Sequence, residues 1–514
     1  MIKNVRIGAD TSDMHMTPRR ALLAWLCFVA PAVAVATTFA WDRLNAASWE
    51  SPAVAFTVIV IVTALCLVGS VAVLIVGWRH QLAEIAMLGS ALAVASVLPL
   101  AHGLAIPGVL FGPNSAVNVT AFIAVPLALV AAAPLLAPST ALSRAVARSW
   151  RMWSLTASAI GCLVAAGFLC FPNAISSPTS GTPLAIAAVA VSLAGTLILA
   201  ARQIRLYRIG GRIASLVAGV GVTYLGLSSL VWLGAAPYSL AWWLAHAIDG
   251  LGVLAATAGL LIAHRRDGGI VPTLRPVVNR DPLVALELGL TPVVRRFVAA
   301  LAQKDVVTRN HVVRVAELAM RSGVGAGLNP DRLRALGLGA LLHDVGKLAT
   351  PDAILTKAGA LTDDEFAVMR QHTTDGAALL EPWPLLAPAA PLVRWHHERA
   401  DGRGYPDGLH ADRIPTEAAL ISVCDAWDAM TSDRPYRAGM DDESALAILA
   451  AGSGTQWTPD AVERVTSELH ERGRVTSSTF DHVDMDELAR TGQSHDDLFC
   501  VCSDALPEGA LLNV

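Results

Sequence analysis

Charged residues are scarce in this chain: they make up 16% of its 514 residues, whereas hydrophobic residues make up 54%. A composition this apolar excludes a single water-soluble domain. The formal net charge is only −4, which gives no support for binding to a nucleic-acid polymer. The apolar residues form long runs up to about Ala263, and charged residues return beyond it. The chain therefore divides into a membrane half followed by a water-soluble half.

Cysteine is sparse as well, and its pattern excludes a disulfide framework. Seven cysteines are present, and four of them lie inside apolar runs, where cysteine behaves as a small hydrophobic residue. Cys500 and Cys502 form a C-x-C pair near the C terminus, but no second pair lies nearby to complete a metal site. This usage fits a reducing, cytoplasmic setting for the water-soluble half.

Eight apolar segments are long enough to cross a bilayer, since a spanning helix needs about 20 mostly apolar residues. The first one ends in Trp41 and has seven more behind it, which is not typical of a cleaved signal peptide. We therefore expect an eight-helix transmembrane bundle over 21–263, preceded by a cytoplasmic segment, 1–20. The predicted spans are Ala21–Trp41, Ala53–Trp78, Leu82–Ile106, Val119–Ala137, Met152–Phe171, Leu184–Ala201, Ile213–Leu233 and Leu240–Ala263.

Basic residues are unevenly divided between the loops that join these spans. Arginines precede the first span and follow every even-numbered span, whereas the alternate loops carry only Arg43. By the positive-inside rule both termini are cytoplasmic. We expect a multi-pass membrane protein whose water-soluble half lies in the cytoplasm. The arginines on the cytoplasmic side are Arg19, Arg20, Arg79, Arg144, Arg148, Arg151, Arg202, Arg205, Arg208, Arg212, Arg265 and Arg266.

Two ionisable residues lie inside the last predicted span. His246 and Asp249 are three residues apart and share one helix face. Such residues are costly in a bilayer and need a reason. Two explanations are open: a site for a sensed ligand, ion or proton, or a polar contact that holds the bundle together. His102 lies close to a span end and is expected at the membrane interface.

Residues 264–304 are predicted to connect the two halves. Asp267–Arg280 is rich in glycine, proline and arginine, which is typical of a linker. Apolar residues then recur at helical spacing from Pro282 to Lys304, which predicts one amphipathic helix. This helix either pairs with its copy in a homodimer or packs on its own domain.

Residues 305–472 keep a helical pattern, so an all-α domain is expected there. Residues 473–514 are polar and acidic with little periodicity, which predicts a disordered tail. The clearest amphipathic helices of the domain are Val312–Ser322, Arg332–Leu342 and Asp442–Ala451.

Residues of metal-ligand type gather in this domain. Two adjacent pairs, His343-Asp344 and His396-His397, are hard to explain as packing alone. Neutral imidazole suits Fe, Mn and Zn, and the lack of cysteine argues against a structural zinc site. A carboxylate such as Asp344 can bridge two ions, and Lys347 lies three residues later, on the same side of a helix. The candidate ligands are His311, His343, Asp344, His372, His396, His397 and Asp425.

Six sequence runs occur here in a fixed order: DVVTRNHVVRVAELA, LLHDVGKLATPDAILTKAGALTDDEF, MRQHTTDGAALL, HHERADGRGYPDGL, IP and CDAWDAMTSDRPYR. They resemble the HD-GYP family of bacterial cyclic di-GMP phosphodiesterases. The resemblance covers 305–470, about a third of the chain. It implies an HD-type, metal-dependent phosphohydrolase domain.

The resemblance also implies a role for each matching residue. The seven candidate ligands would hold two divalent ions, Fe or Mn, with Asp344 bridging them; Asp344, His343 and Lys347 would form the catalytic core. Lys347 would contact a substrate phosphate. Arg434 and Arg437 would bind phosphate or guanine, or else order their loop through an ion pair. The loop that carries Gly404, Tyr405 and Pro406 would line the site or contact a partner.

The expected reaction opens cyclic di-GMP to the linear dinucleotide pGpG, with GMP as an open alternative end product. Some family members carry a glutamate four residues before the first ligand histidine, where this chain has Val307, so two ions are expected rather than three. Other readings stay open: another cyclic dinucleotide such as cyclic GMP-AMP as substrate, a module that binds the nucleotide without turnover, or a transport role for the membrane half.

Overall fold

A computed structural model of the chain describes residues 46–136, 145–146, 148–175, 182–278, 281–304, 308–357, 359–433 and 438–472. These residues are predominantly helical and contain isolated bridges but no β-strand. The predicted all-α fold is confirmed. The described residues divide into two compact units, one up to residue 278 and one from Asp281 onward, the latter including Arg208–Gly210.

In the part of the chain that the structure describes, the first unit consists of seven long apolar helices and a short one. Each of the seven is long and apolar enough to cross a membrane, and together they match the second to eighth predicted spans. The first predicted span, Ala21–Trp41, lies outside the described residues. The helices are α1 Pro52–Arg79, α2 Ala83–Leu104, α3 Ala116–Leu136, α4 Trp150–Cys170, α5 Pro183–Gly210, α6 Ile213–Gly234, α7 Leu240–Asp267 and α8 Ile270–Val278.

Local sequence explains where several of these helices begin and end. Thr182 precedes α5 and Ser239 precedes α7, and each side-chain oxygen accepts a hydrogen bond from a backbone N–H of the first turn. Gly211 and Gly268 follow the same two helices with φ of 69° and 70°, a conformation that costs glycine little. The boundaries of α5 and α7 are therefore encoded locally.

The segment expected to be a linker is largely helical. Helix α7 continues to Asp267, and α8 follows within the stretch predicted as Asp267–Arg280. The last carbonyls of a helix have no partner inside it. Here α5 supplies donors for them: Arg202 donates to the carbonyl of Val278 at 2.9 Å and Gln203 to that of Val277 at 2.8 Å. These contacts hold α8 against α5, and no sequence pattern predicts them.

His102 was expected at the membrane interface, which stays a prediction; the residue lies two positions before the end of α2. Its side chain is buried, with 3% of its surface exposed, on a helix whose inner face is packed among other spans. The Nδ1 atom donates to the carbonyl of Val117 at 2.7 Å. A histidine with one backbone partner is thus held inside the apolar bundle.

The second unit is a compact set of shorter helices. They are α9 Pro282–Leu288, α10 Pro292–Lys304, α11 Thr308–Gly325, α12 Pro330–Leu342, α13 Asp352–Leu355, α14 Asp363–Arg370, α15 His372–Leu380, α16 Ala390–Trp395, α17 Thr416–Thr431, α18 Asp442–Gly452 and α19 Pro459–Arg472, with 3-10 turns at Val345–Leu348 and Ala387–Ala389. The three helices predicted within this domain lie inside α11, α12 and α18 and are confirmed.

The single helix predicted for Pro282–Lys304 is instead two helices. Gly289 follows α9 and Pro292 begins α10, because proline lacks the N–H that a helix interior needs. The apolar face is buried within the chain, with Leu283 and Leu301 each 1% exposed. The apolar residues therefore pack on their own chain, which was the alternative to pairing; a homodimer through 282–304 stays a prediction.

The core of this unit lies between α11, α12 and α17. Asn329 caps α12 by accepting from the backbone N–H groups of Asp331 and Arg332. The Arg332 guanidinium then forms a two-pronged ion pair with Glu417 on α17. Leu342 is fully buried at the other end of α12. Both ends of α12 are thereby fixed, which sets the position of the residues that follow it.

Candidate metal centre

The centre is built at the ends of helices. His343 and Asp344 directly follow α12, His372 is the first residue of α15, and His396 directly follows α16. Asp425 lies inside α17. Because these ends meet in one place, residues far apart in sequence become neighbours.

One ligand group comprises His372, His396 and His397, whose nearest ligand atoms lie within 4.8 Å of one another. His372 Nδ1 donates to the carbonyl of Met369 and His396 Nδ1 to that of Val393, both at 2.7 Å. Each histidine is therefore bonded three residues back along its own chain. The bond fixes the tautomer and leaves Nε2 as the available ligand atom.

The second ligand group comprises His311, His343 and Asp344, again within 4.8 Å. His343 Nδ1 donates to the carbonyl of Ala340 at 2.8 Å, which repeats the arrangement of the other group. Asp425 completes this side: its Oδ1 lies 3.2 Å from His311 Nε2 and 4.0 Å from His343 Nε2.

Asp344 stands between the two groups. Its Oδ2 lies 3.4 Å from His343 Nε2 and its Oδ1 lies 3.6 Å from His372 Nε2. One carboxylate oxygen thus faces each group, as a bridging ligand requires. Lys347, in the 3-10 turn after Asp344, places Nζ 2.7 Å from the same Oδ2.

These donors fit divalent metal ions. The Nε2 atoms of His343, His372 and His396 are buried and have no hydrogen-bond partner among the described residues. Leaving a buried polar atom unpaired costs about 1–3 kcal/mol. Three such atoms beside two carboxylates are explained if they bind metal. Imidazole with carboxylate suits Fe, Mn or Zn and does not select one of them.

The electrostatics keep the ligands in their metal-binding forms. Burial would raise the pKa of Asp344, but the charge of Lys347 and the neighbouring histidines outweigh it and hold the pKa well below its usual range. Burial lowers the pKa of His372 and of His396, and lowers that of His397 to about 4. At neutral pH these three imidazoles are uncharged and Asp344 is ionised.

His311 is different because two carboxylates hold it. Burial alone would lower its pKa, but bonds to Asp425 and Asp428 raise the pKa to about 9. Its Nδ1 donates to Asp428 Oδ2 at 2.7 Å, and Arg314 also binds Asp428. Asp428 is buried, with 6% of its surface exposed. It orients His311 from behind, as a carboxylate commonly does for a metal-ligating histidine.

Arg314 and Asp428 were missed by the sequence reasoning. A faint signal was present: Arg314 follows His311 by three residues, and Asp428 follows Asp425 by three, so each pair shares a helix face. The signal becomes informative only once α11 and α17 are known to be neighbours.

The loop after His397 forms one wall of the centre. The Tyr405 ring lies 4.9 Å from the His397 ring, and its backbone N–H donates to the His397 carbonyl. Glu398 accepts from the backbone N–H groups of Asp407 and Leu409 and so orders the loop. At Gly404 an added Cβ would lie 2.3 Å from the backbone nitrogen of Arg399, so only glycine fits.

The structure thus brings all seven predicted ligands and Lys347 into one centre, with Gly404, Tyr405 and Pro406 in the adjoining loop. Arg434, Arg437 and Val307 lie outside the described residues, as do Cys500, Cys502 and the predicted tail.

Comparison with known proteins agrees with this geometry. Residues 296–460 match the family model of the HD domain. By this match residues 296–460 resemble an HD domain, and they are called the HD domain below. The expected HD-GYP resemblance is confirmed, since the curated relatives of this chain include proteins named cyclic di-GMP phosphodiesterases.

Three relatives of the HD domain illustrate the similarity. A cyclic di-GMP phosphodiesterase of Thermotoga maritima is 39% identical over 162 residues, covering 31% of this chain and 44% of the relative. A cyclic di-GMP phosphodiesterase of Pseudomonas aeruginosa is 41% identical over 193 residues, 37% of this chain and 44% of the relative. A 3'3'-cGAMP-specific phosphodiesterase of Vibrio cholerae is 36% identical over 149 residues, 28% and 34% respectively. The chain spans less than half the length of these relatives.

Replacing Asp428 with asparagine should weaken metal binding. The change removes the charge that holds His311 and Arg314, and loss of such a partner typically lowers metal affinity by about 10- to 100-fold. We expect the loss for one ion, at the His311 group, in a chelator competition on the full chain. Asp460→Asn, which changes an exposed ion pair with Arg464, is the matched control. Equal affinities in the two variants would rule out the positioning role of Asp428.

Metal binding at neutral pH should release about one proton from His311, because a ligand must be deprotonated to bind. With a pKa of about 9 the metal-free His311 is protonated at pH 7, whereas His372, His396 and His397 are already neutral. Calorimetry in buffers of different ionisation enthalpy measures the number released. It should fall toward zero above pH 9, and a value near zero already at pH 7 would contradict the protonated state of His311.

Proposed function

We propose that this chain is a membrane-anchored, metal-dependent phosphodiesterase that hydrolyses cyclic di-GMP to pGpG, with GMP as a further product to be tested. The observation that carries the proposal is the position of Asp344, with one oxygen toward each of two ligand groups. A phosphodiester bond needs charge compensation on both the attacking and the leaving oxygen, and a site for two ions offers both.

We propose a separate set of ligands for each of two ions. His372, His396 and His397 would hold one, and His311, His343 and Asp425 the other, with Asp344 shared. When bound, the ions would supply an activated water and Lewis-acid stabilisation of the phosphoryl oxygens. Iron or manganese is the proposed metal.

Lys347 provides the second chemical function. Its ammonium group lies 2.7 Å from Asp344 and is 22% exposed, so it faces both the bridging carboxylate and the open side of the centre. Once ions compensate the charge of Asp344, the ammonium can turn to a phosphate oxygen of the substrate. A positioned cation there stabilises charge that grows in the transition state.

The loop residues Gly404, Tyr405 and Pro406 would line the substrate side. The Arg370 guanidinium lies over the Tyr405 ring at 5.9 Å, which adds a cation close to this wall. A cyclic dinucleotide carries two phosphates and two planar bases, so cations and an aromatic ring are the groups that would recognise it. Arg434 and Arg437 are proposed for the same role.

The membrane half would anchor the enzyme and pass on a signal. Among the described residues, seven helices long enough to span a membrane precede the HD domain. The bias of arginine toward alternate loops supports cytoplasmic termini at a bacterial inner membrane. The HD domain would then face the compartment in which cyclic dinucleotides are made.

A second substrate is favoured by a specific observation. Relatives named 3'3'-cGAMP-specific phosphodiesterases match this chain at 34–36% identity, close to the 36–41% of those named for cyclic di-GMP. Identity in this range does not separate the two substrates. A module that binds the nucleotide without turnover is the other alternative, and the complete ligand set weighs against it.

Asp344→Asn should abolish hydrolysis of cyclic di-GMP by the purified full chain, because the ligand shared by both groups loses its charge. Lys347→Met should keep the metals and lower kcat by about 10²- to 10³-fold, the usual cost of removing one stabilising donor. Asp364→Asn, at the exposed start of α14, is the control and should keep full activity. Unchanged hydrolysis by Asp344→Asn would refute the mechanism.

The same preparation, given cyclic di-GMP and 3'3'-cGAMP at equal concentrations, decides the substrate. Faster loss of cyclic di-GMP is the expected result. Faster hydrolysis of 3'3'-cGAMP would instead make 3'3'-cGAMP the substrate. Tight binding of both nucleotides without product would indicate a binding module.

A further inference from the structure

Two histidines in the membrane half have the same setting as the ligands of the HD domain. His246 Nδ1 donates to the carbonyl of Trp242 at 3.0 Å, and His102 Nδ1 to that of Val117 at 2.7 Å. In both residues Nε2 is buried and has no partner among the described residues. Every described histidine with a buried, unpartnered Nε2 therefore has a backbone carbonyl on Nδ1: His102, His246, His343, His372 and His396.

The two membrane histidines also face each other at the spacing of ligands. Their ring centroids are 5.5 Å apart, although they belong to α2 and α7. Within the HD domain centre the corresponding distances are 5.4 Å for His311–His343, 5.2 Å for His343–His396 and 5.4 Å for His372–His396. The membrane pair thus has the centroid spacing of the ligand pairs, with its two ring planes inclined at 38°.

The surroundings favour a cation. Asp249 lies one turn after His246, and its Oδ1 is buried without a partner among the described residues, while Ser228 and Trp232 bond to its carboxylate. A buried carboxylate one turn away attracts positive charge and disfavours an anionic ligand. Trp232 and Trp242 pack on the His246 ring at 4.8 and 4.1 Å and exclude water from it. In an apolar bundle, such unpaired polar atoms are costly unless something binds them.

The site is also placed where an ion could reach it. His102 lies two residues before the end of α2, Trp232 lies two before the end of α6, and His246 is in the second turn of α7. These ends lie together, away from the arginine-rich loops. An ion would therefore enter close to the ends of the helices, without crossing the apolar interior.

We propose that His102 and His246 bind a transition-metal ion of the class that prefers imidazole, Zn²⁺ or Cu²⁺, in the membrane half, with Asp249 compensating its charge. Neutral imidazole whose second nitrogen donates to a carbonyl is a favourable ligand for such ions. The site is distinct from the HD domain centre and does not depend on the proposed hydrolysis.

The test counts metal ions in the full chain, purified in nanodiscs, loaded with Zn²⁺ and washed with a weak chelator. Wild type should hold one ion more per chain than His102→Gln or His246→Gln. The double variant should lose the same single ion and no more, because both residues bind one ion. His80→Gln, a change to an exposed histidine after α1, should match wild type. Equal zinc in wild type and all variants would overturn the proposal.

A second measurement leaves the membrane half unchanged, in case a buried glutamine disturbs folding. Full-length chain with His343→Gln, Asp344→Asn and His396→Gln has a disabled HD domain centre. It should still bind one Cu²⁺ per chain, with hyperfine splitting from two imidazole nitrogens in its paramagnetic resonance spectrum. Absence of a bound Cu²⁺ with that splitting would refute the site.

Discussion

The buried carboxylate of Asp344 is the constraint on which the rest of this site depends. With 4% of its surface exposed, the side chain carries a full charge into a region of neutral imidazoles. A buried charge is tolerated only when it is paired or coordinates a metal. Lys347 compensates part of the Asp344 charge, and one ligand group lies on each side of the carboxylate. The placement of helix ends around this one residue therefore defines the centre.

A local hydrogen bond from Nδ1 to the backbone orients several of the histidine ligands. A histidine at a helix end can bond its Nδ1 to a carbonyl three or four residues back, which orients the ring and leaves Nε2 bare. His343, His372 and His396 use it, and so does His246 in the membrane half. His102 instead donates its Nδ1 to the carbonyl of Val117 on the neighbouring helix α3. The arrangement needs no second layer of side chains. His311 instead has a side-chain partner, Asp428, and its pKa is raised.

The sequence was most informative where chemistry leaves a local pattern. Adjacent pairs such as His343-Asp344 are recognisable from residue order alone, and apolar runs located seven helices correctly. Contacts between segments distant in sequence could not be predicted from residue order. The hydrogen bonds of Arg202 and Gln203 to α8 and the burial of His102 depend on which helices become neighbours. The role of Asp428 could not be predicted for the same reason, because Asp428 on α17 binds His311 on the separate helix α11.

The central claim is that two ions share Asp344, and manganese offers the most direct test of it. Full chain loaded with Mn²⁺ should contain two ions in the HD domain, and its electron paramagnetic resonance spectrum should show exchange coupling between them through the shared carboxylate. Asp344→Asn should remove the coupling. A spectrum of isolated, uncoupled Mn²⁺ in the wild-type protein would contradict the account.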